Sequence, residues 1–97
     1  MGLRVRWSPQ SRAHLITIRR HIRADNPSAA ERMRLHIVKI LKLLGTMPGM
    51  GHPGRRKGTS EFVIPPYILV YRTVRTELRV LGIFHGARER WEDFSDD

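Results

Sequence analysis

Residues 59–85 read TSEFVIPPYILVYRTVRTELRVLGIFH, the densest run of β-formers in the chain. β-branched and aromatic side chains fit a pleated, half-buried surface. Phe62, Val63 and Ile64 lead into Pro65-Pro66, and proline, which cannot donate to a ladder, marks a turn or an edge there. Tyr67 to Tyr71 follow, then a polar break from Thr73 to Glu77, then Leu78 to Phe84. The stretch predicts three antiparallel strands joined by short turns. Period two assigns the faces. In the last strand Leu78, Val80, Gly82 and Phe84 share one face, and Arg79, Leu81, Ile83 and His85 share the other. In the middle strand Tyr67, Leu69 and Tyr71 oppose Ile68, Val70 and Arg72. Both faces carry apolar side chains, so one face is expected to be covered fully and the other in part. Three strands need a packing partner.

The N-terminal half supplies it. LRVRW (residues 3–7) alternates apolar and Arg as a short amphipathic strand does. Ser8-Pro9 reads as a helix N-cap with proline at the first helical position. Ala13, Leu15, Ile16, Ile18 and Ile22 form an apolar stripe. Pro27 disfavours helical geometry at Asn26, so this helix ends near Asp25. Asn26-Pro27 repeats the cap signal, and Ala30, Met33, Ile37, Ile40, Leu41 and Leu44 keep helical spacing up to Gly45, read as the stop. Residues 45–58, GTMPGMGHPGRRKG, read as a loop. The expected fold class is α+β: an αα-hairpin packed on a small, mainly antiparallel sheet in the order βααβββ. Residues 1–91 form one domain, and 92–97 an acidic tail expected to fray.

The charge is unevenly placed. The chain has 97 residues and net charge +9. All 18 Lys and Arg lie within residues 1–90 beside only five acids, giving +13, while the last seven residues carry four acids. Such a body attracts polyanions or an acidic protein segment. With no cysteine there is no disulfide or thiolate metal site, which fits a reducing compartment. No run of about 18 apolar residues occurs, so no membrane span is predicted, and the arginines near the N-terminus break up any signal-peptide core. A cytoplasmic protein is the expectation.

Three constellations could carry chemistry. Arg55, Arg56 and Lys57, among glycines, could grip a phosphate or carboxylate, or simply be a solvated charge run; no P-loop motif is present. Arg72, His85 and Arg88 could do acid–base work on a phosphodiester, with Arg72 near the end of the strand paired with that of His85. A histidine at a strand end is more often structural. Trp7, Tyr67, Tyr71, Trp91 and Phe94 are many large rings for one small domain, so some should mark a binding surface. His14, His21, His36 and His52 lack metal-ligand spacing, so neither a metal nor another cofactor is expected.

Over residues 4–91 the chain resembles the RelE/ParE superfamily of toxins from bacterial toxin–antitoxin pairs. The resemblance rests on Trp7-Ser8 with Ala13, Asn26-Pro27, the Pro48–Gly51 loop, the strand at Glu61, PYILVYR and the final HGAR. It implies the βααβββ fold and a cognate antitoxin whose C-terminal segment wraps the toxin. A homodimer, or a heterotetramer with the antitoxin, is compatible with it. It also implies one of two targets. RelE-like members cut mRNA on the ribosome and match this chain at Arg88 and His85. They carry further cations where this chain has Phe62, Val63, Ile64 and Ile68, and some end the last strand in His-Tyr where His85 is followed by Gly86. ParE-like members bind DNA gyrase instead. The departures favour the ParE-like reading, with Arg55, Arg56, Lys57, Arg88, Arg90 and Trp91 as target- or phosphate-binding residues. RNase activity, with His85, Arg88 and Arg72, is the alternative, and an inactive orphan binding module is the third.

Overall fold

Residues 2–86 are described from a computed structural model. Arg88, Arg90, Trp91, Phe94 and the tail 92–97 lie outside the described residues. The elements are β1 (Arg4–Trp7), α1 (Pro9–Asp25), α2 (Pro27–Thr46), a 3-10 turn (Pro48–Met50), β2 (His52–Pro53), β3 (Ser60–Ile64), β4 (Tyr67–Val74) and β5 (Glu77–His85). They build one five-stranded sheet in the order β1-β5-β4-β3-β2 with two helices packed on it, the α+β arrangement expected from the sequence. No described helix is long and apolar enough to cross a membrane.

Both helix starts follow their local chemistry. The Ser8 side chain accepts the Ser11 N–H at 3.0 Å, and Asn26 Oδ1 accepts the Ala29 N–H at 3.1 Å. Each satisfies an amide with no partner inside its helix. α1 ends at Asp25, one residue before the constrained Asn26. α2 buries Ala30, Ile37, Leu41 and Leu44. At about 1.5–3 kcal/mol for each fully buried large aliphatic, this face outweighs any single cap. On α1, Ser11 and Ile18 are buried and Leu15 and Ile22 half-buried, whereas Ala13 and Ile16 face solvent, so its stripe is narrower than the sequence suggests.

Four features depart from the sequence reading. Gly45 does not stop α2, which runs on to Thr46. It lets the N-terminal chain approach instead: Leu3 N–H donates to its carbonyl at 2.8 Å, and a Cβ there would lie 3.2 Å from the Leu3 carbonyl oxygen. Second, the loop after α2 contains a short strand, β2, paired antiparallel with β3. Third, β1 pairs parallel with β5, Val5 opposite Leu78 and Trp7 opposite Val80, an arrangement open to strands separated by two helices.

The fourth is a bulge. Val70 pairs with Gly82 but Tyr71 pairs with Val80, which leaves Leu81 without a partner of its own. One extra residue flips the alternation beyond it. Leu78, Val80 and Ile83 therefore share the helix-side core with Leu69 and Tyr71. Phe84 joins Leu81, Val70 and Ile68 in a second cluster. The predicted faces hold up to Leu81 and reverse after it, so His85 lies on the side of Ile83 and away from Arg79.

Candidate functional site

The sequence grouped His85 with Arg72; the fold keeps them apart. His85 pairs with Tyr67, its ring edge-on to the tyrosine at 5.7 Å between centroids. Arg72 pairs with Arg79 near the other end of the same ladder. Tyr67 and Arg72 are five residues apart along β4, roughly 17 Å at about 3.3 Å per residue. The bulge also puts the two side chains on opposite faces. The third member, Arg88, lies outside the described residues, as do Arg90 and Trp91.

Arg55, Arg56 and Lys57 sit in a tied loop between β2 and β3. Gly54 N–H donates to Thr59 O at 2.7 Å, and the Thr59 hydroxyl donates to Arg56 O at 2.6 Å. Glu61 accepts the Arg55 backbone N–H at 3.0 Å. Gly58, at φ +82°, supplies the left-handed residue that closes the turn. The loop thus holds three cations at one edge of the sheet, with Arg55 and Lys57 exposed.

The preceding segment is pinned by Tyr71, which is fully buried. Its hydroxyl donates to Pro48 O at 2.6 Å and accepts the Gly51 N–H at 3.1 Å. Burial pushes the phenol above its ordinary range, and hydrogen bonds from Gly51 and Ser60 partly offset this. A Cβ on Gly51 would collide with the hydroxyl, so only glycine fits.

At the opposite edge, β1, the start of α1 and β5 enclose a cleft of about 550 Å³ whose wall includes Arg6, Trp7, Arg12 and Arg79. A second hollow of about 300 Å³ shares Arg6 and Arg79 and continues to Arg75 and Glu77. Arg6 and Arg79 are register partners across β1 and β5, so their side chains leave the same face. Glu77 contacts Arg79 at 3.0 Å and Arg6 at 3.5 Å. The hydrogen bond from Arg79, then the charge of Arg6, holds its carboxyl below the usual carboxylate range. α1 closes the inner end, where β1 no longer covers β5. Ser8 N–H donates to Val80 O at 3.1 Å, and Ile83 N–H donates to His14 Nδ1 at 3.2 Å. Sequence reading passed over this groove. Its one signal was the Arg alternation in LRVRW, and its other half arrives through pairing with a strand some seventy residues away. Among the described residues no cluster of His, Asp and Glu could hold a metal ion.

Residues 5–90 match the family model described as the ParE toxin of the type II toxin–antitoxin system parDE. The chain is 36% identical over 90 residues to the toxin candidate Y4kP of Sinorhizobium fredii, covering 91% of this chain and 92% of that one. It is 29% identical over 82 residues to Toxin RelE2 of Caulobacter vibrioides, covering 84% and 93% respectively. Its fold is similar to a structure of the chromosomal ParDE system from P. aeruginosa, with TM-score 0.77 and 21% identity over 87% of this chain and 96% of that one. It is also similar to the toxin–antitoxin complex RelBE2 from Mycobacterium tuberculosis, with TM-score 0.64 and 23% identity over 88% and 99%. Matched across almost its whole length, the chain belongs to the ParE toxin family of type II toxin–antitoxin systems.

Proposed function

We propose that this toxin arrests bacterial growth in the cytoplasm by binding DNA gyrase, and that a cognate antitoxin neutralises it. The observation that carries the choice of target is the separation of His85 from Arg72. A phosphodiester in the transition state needs several preorganised cations and an acid–base group around one phosphorus. Here the histidine and the strand arginine lie on opposite faces, and the hairpin carries Phe62, Val63, Ile64 and Ile68. Losing one preorganised donor costs about 3–4 kcal/mol of transition-state stabilisation, and among the described residues Phe62, Val63, Ile64 and Ile68 offer no charge. Gyrase inhibition by binding needs no such set. The tied loop with Arg55, Arg56 and Lys57, together with Arg88, Arg90 and Trp91, would contact the target.

An antitoxin partner is supported by family membership. Its segment would lie along the αα-hairpin and sheet, where Ile16, Leu35, Val38 and Leu43 are exposed apolar side chains, and its acids would pair with the arginines. Ribosome-dependent mRNA cleavage is the second reading, favoured by the similarity to a protein named RelE2. Induction with and without the neighbouring antitoxin gene, followed by primer extension on translated mRNA, tests both. The expected result is growth arrest relieved by the antitoxin, with no new mRNA ends. Equal growth in both cases would remove the toxin reading, and codon-specific cleavage would replace gyrase with the ribosome.

A further inference from the structure

We propose that residues 87–97 fold back across the sheet face that the helices leave open, Trp91 and Phe94 resting on the apolar cluster there and the acids lying over its arginines. The face is fixed by register. Ile68, Val70 and Arg72 alternate along β4 and leave the same side of the sheet. Arg79 and Arg6 join Arg72 there as successive register partners.

Three observations point to the occupant. The first is burial. Val70, Leu81 and Phe84 are 1%, 3% and 4% exposed, yet their cluster consists of strand residues and includes no described helix residue. His14 reaches Phe84 from the sheet edge, 4.8 Å between ring centroids, but Val70 stands on the central strand. An open sheet face would leave these side chains in water. The second is the exit of the chain. Gly86 N–H donates to Pro66 O at 3.0 Å, and a Cβ on Gly86 would lie 3.2 Å from Ile68 Cδ1. The chain therefore leaves β5 beside the cluster. Residues 87–97 reach roughly 16 Å as a helix, at about 1.5 Å each, and further when extended. Arg72 stands four residues along β4 from Ile68, roughly 13 Å at about 3.3 Å per residue. The third is complementarity. The face carries Arg4, Arg6, Arg72 and Arg79 against Glu61 and Glu77. The segment sets Trp91 and Phe94 among Glu92, Asp93, Asp96 and Asp97, rings for the apolar patch and acids for its arginine side. A tether makes this docking intramolecular, so modest contacts favour it over a second copy. It replaces the expectation that residues 92–97 fray. Because the segment also holds Arg88, Arg90 and Trp91, docking keeps them from a target; that consequence rests on the proposed function, whereas the docking does not.

The test is paramagnetic broadening of methyl signals. The chain has no cysteine, so Ser95→Cys in the full chain gives a single site for a nitroxide. Methyl signals of Ile68, Val70 and Leu81 should broaden severalfold more than those of Leu69, Ile37 and Leu41 on the helix side. Two variants of the nitroxide-bearing chain are read separately, so that if one fails to fold the other still decides. Phe94→Ala should reduce the difference by removing a ring. Glu92→Gln/Asp93→Asn/Asp96→Asn/Asp97→Asn should reduce it by removing the acids, as should salt near ~1 M, where charges are screened beyond about 3 Å. An equimolar mixture of isotope-labelled toxin without nitroxide and unlabelled toxin with it should show no such broadening. Broadening confined to residues beside Gly86, or equal on the two faces, would overturn the docking. Broadening in the mixture as strong as within one chain would give the face to a second copy and overturn it too. An unchanged difference in both folded variants would overturn the contacts assigned to the segment.

Discussion

The hydroxyl of Tyr71 bonds to both ends of the turn that follows α2, donating to Pro48 O at 2.6 Å and accepting from Gly51 N–H at 3.1 Å. One central-strand side chain thereby ties the helical hairpin's exit to the middle of the sheet. Tyr71→Phe keeps the ring and removes the oxygen, leaving the Pro48 carbonyl and Gly51 amide short of a partner. Denaturant unfolding should show a loss of about 1–3 kcal/mol. Gly51→Ala should cost at least as much, because its methyl would overlap the oxygen.

The same phenol gives a pH dependence. Its folded value is raised above 10.0 by burial, so the neutral form is favoured in the native state. The stability linked to it is fully present below about pH 10 and is lost as pH rises through the raised folded value, since the unfolded chain releases its proton first. The gap in stability between wild type and Tyr71→Phe should therefore narrow above pH 10, as measured by thermal melts across the alkaline range.

Arg75 gives a prediction of the opposite sign. A left-handed non-glycine residue costs about 1–2 kcal/mol, and glycine's extra freedom returns roughly half of that. Arg75→Gly should raise stability by about 0.5–1 kcal/mol, or roughly 2–8 °C in Tm. Lower stability would show that the Arg75 side chain makes a contact worth more than the strain.

Features set by a few neighbouring residues were legible in the sequence. Ser8-Pro9 and Asn26-Pro27 were legible because cap and proline act within four residues. PYILVYR was legible because its alternation is local. The bulge at Leu81 had one sign, Gly82 inside a strand, but a bulge becomes visible only once the partner strand's register is known. The groove was invisible for a related reason: Arg6 and Arg79 meet only through a parallel pairing that no local pattern encodes. Arg72 and His85 of the expected trio sit toward opposite ends of the antiparallel ladder, and the bulge also turns His85 to the other face.

Replacing Arg55, Arg56 and Lys57 with glutamine should weaken gyrase inhibition while leaving the thermal transition within about 0.5 kcal/mol, since surface charges add little to stability. The hydrogen bonds from Gly54 N–H to Thr59 O, from the Thr59 hydroxyl to Arg56 O and from Arg55 N–H to Glu61 do not involve the substituted side chains. Inhibition titrations beside circular dichroism melts check this. Undiminished inhibition in a folded triple variant would remove the loop from the target surface.

The most direct test of the central claim is a DNA gyrase supercoiling assay with purified toxin and with His85→Ala. Loss of the ring contact between His85 and Tyr67 predicts a stability decrease of about 0.5–1.5 kcal/mol in the variant. Gyrase binding without catalysis predicts dose-dependent inhibition by both proteins, with matching potency once the folded fractions are equal. No inhibition by folded wild-type toxin at concentrations that stop growth would contradict it.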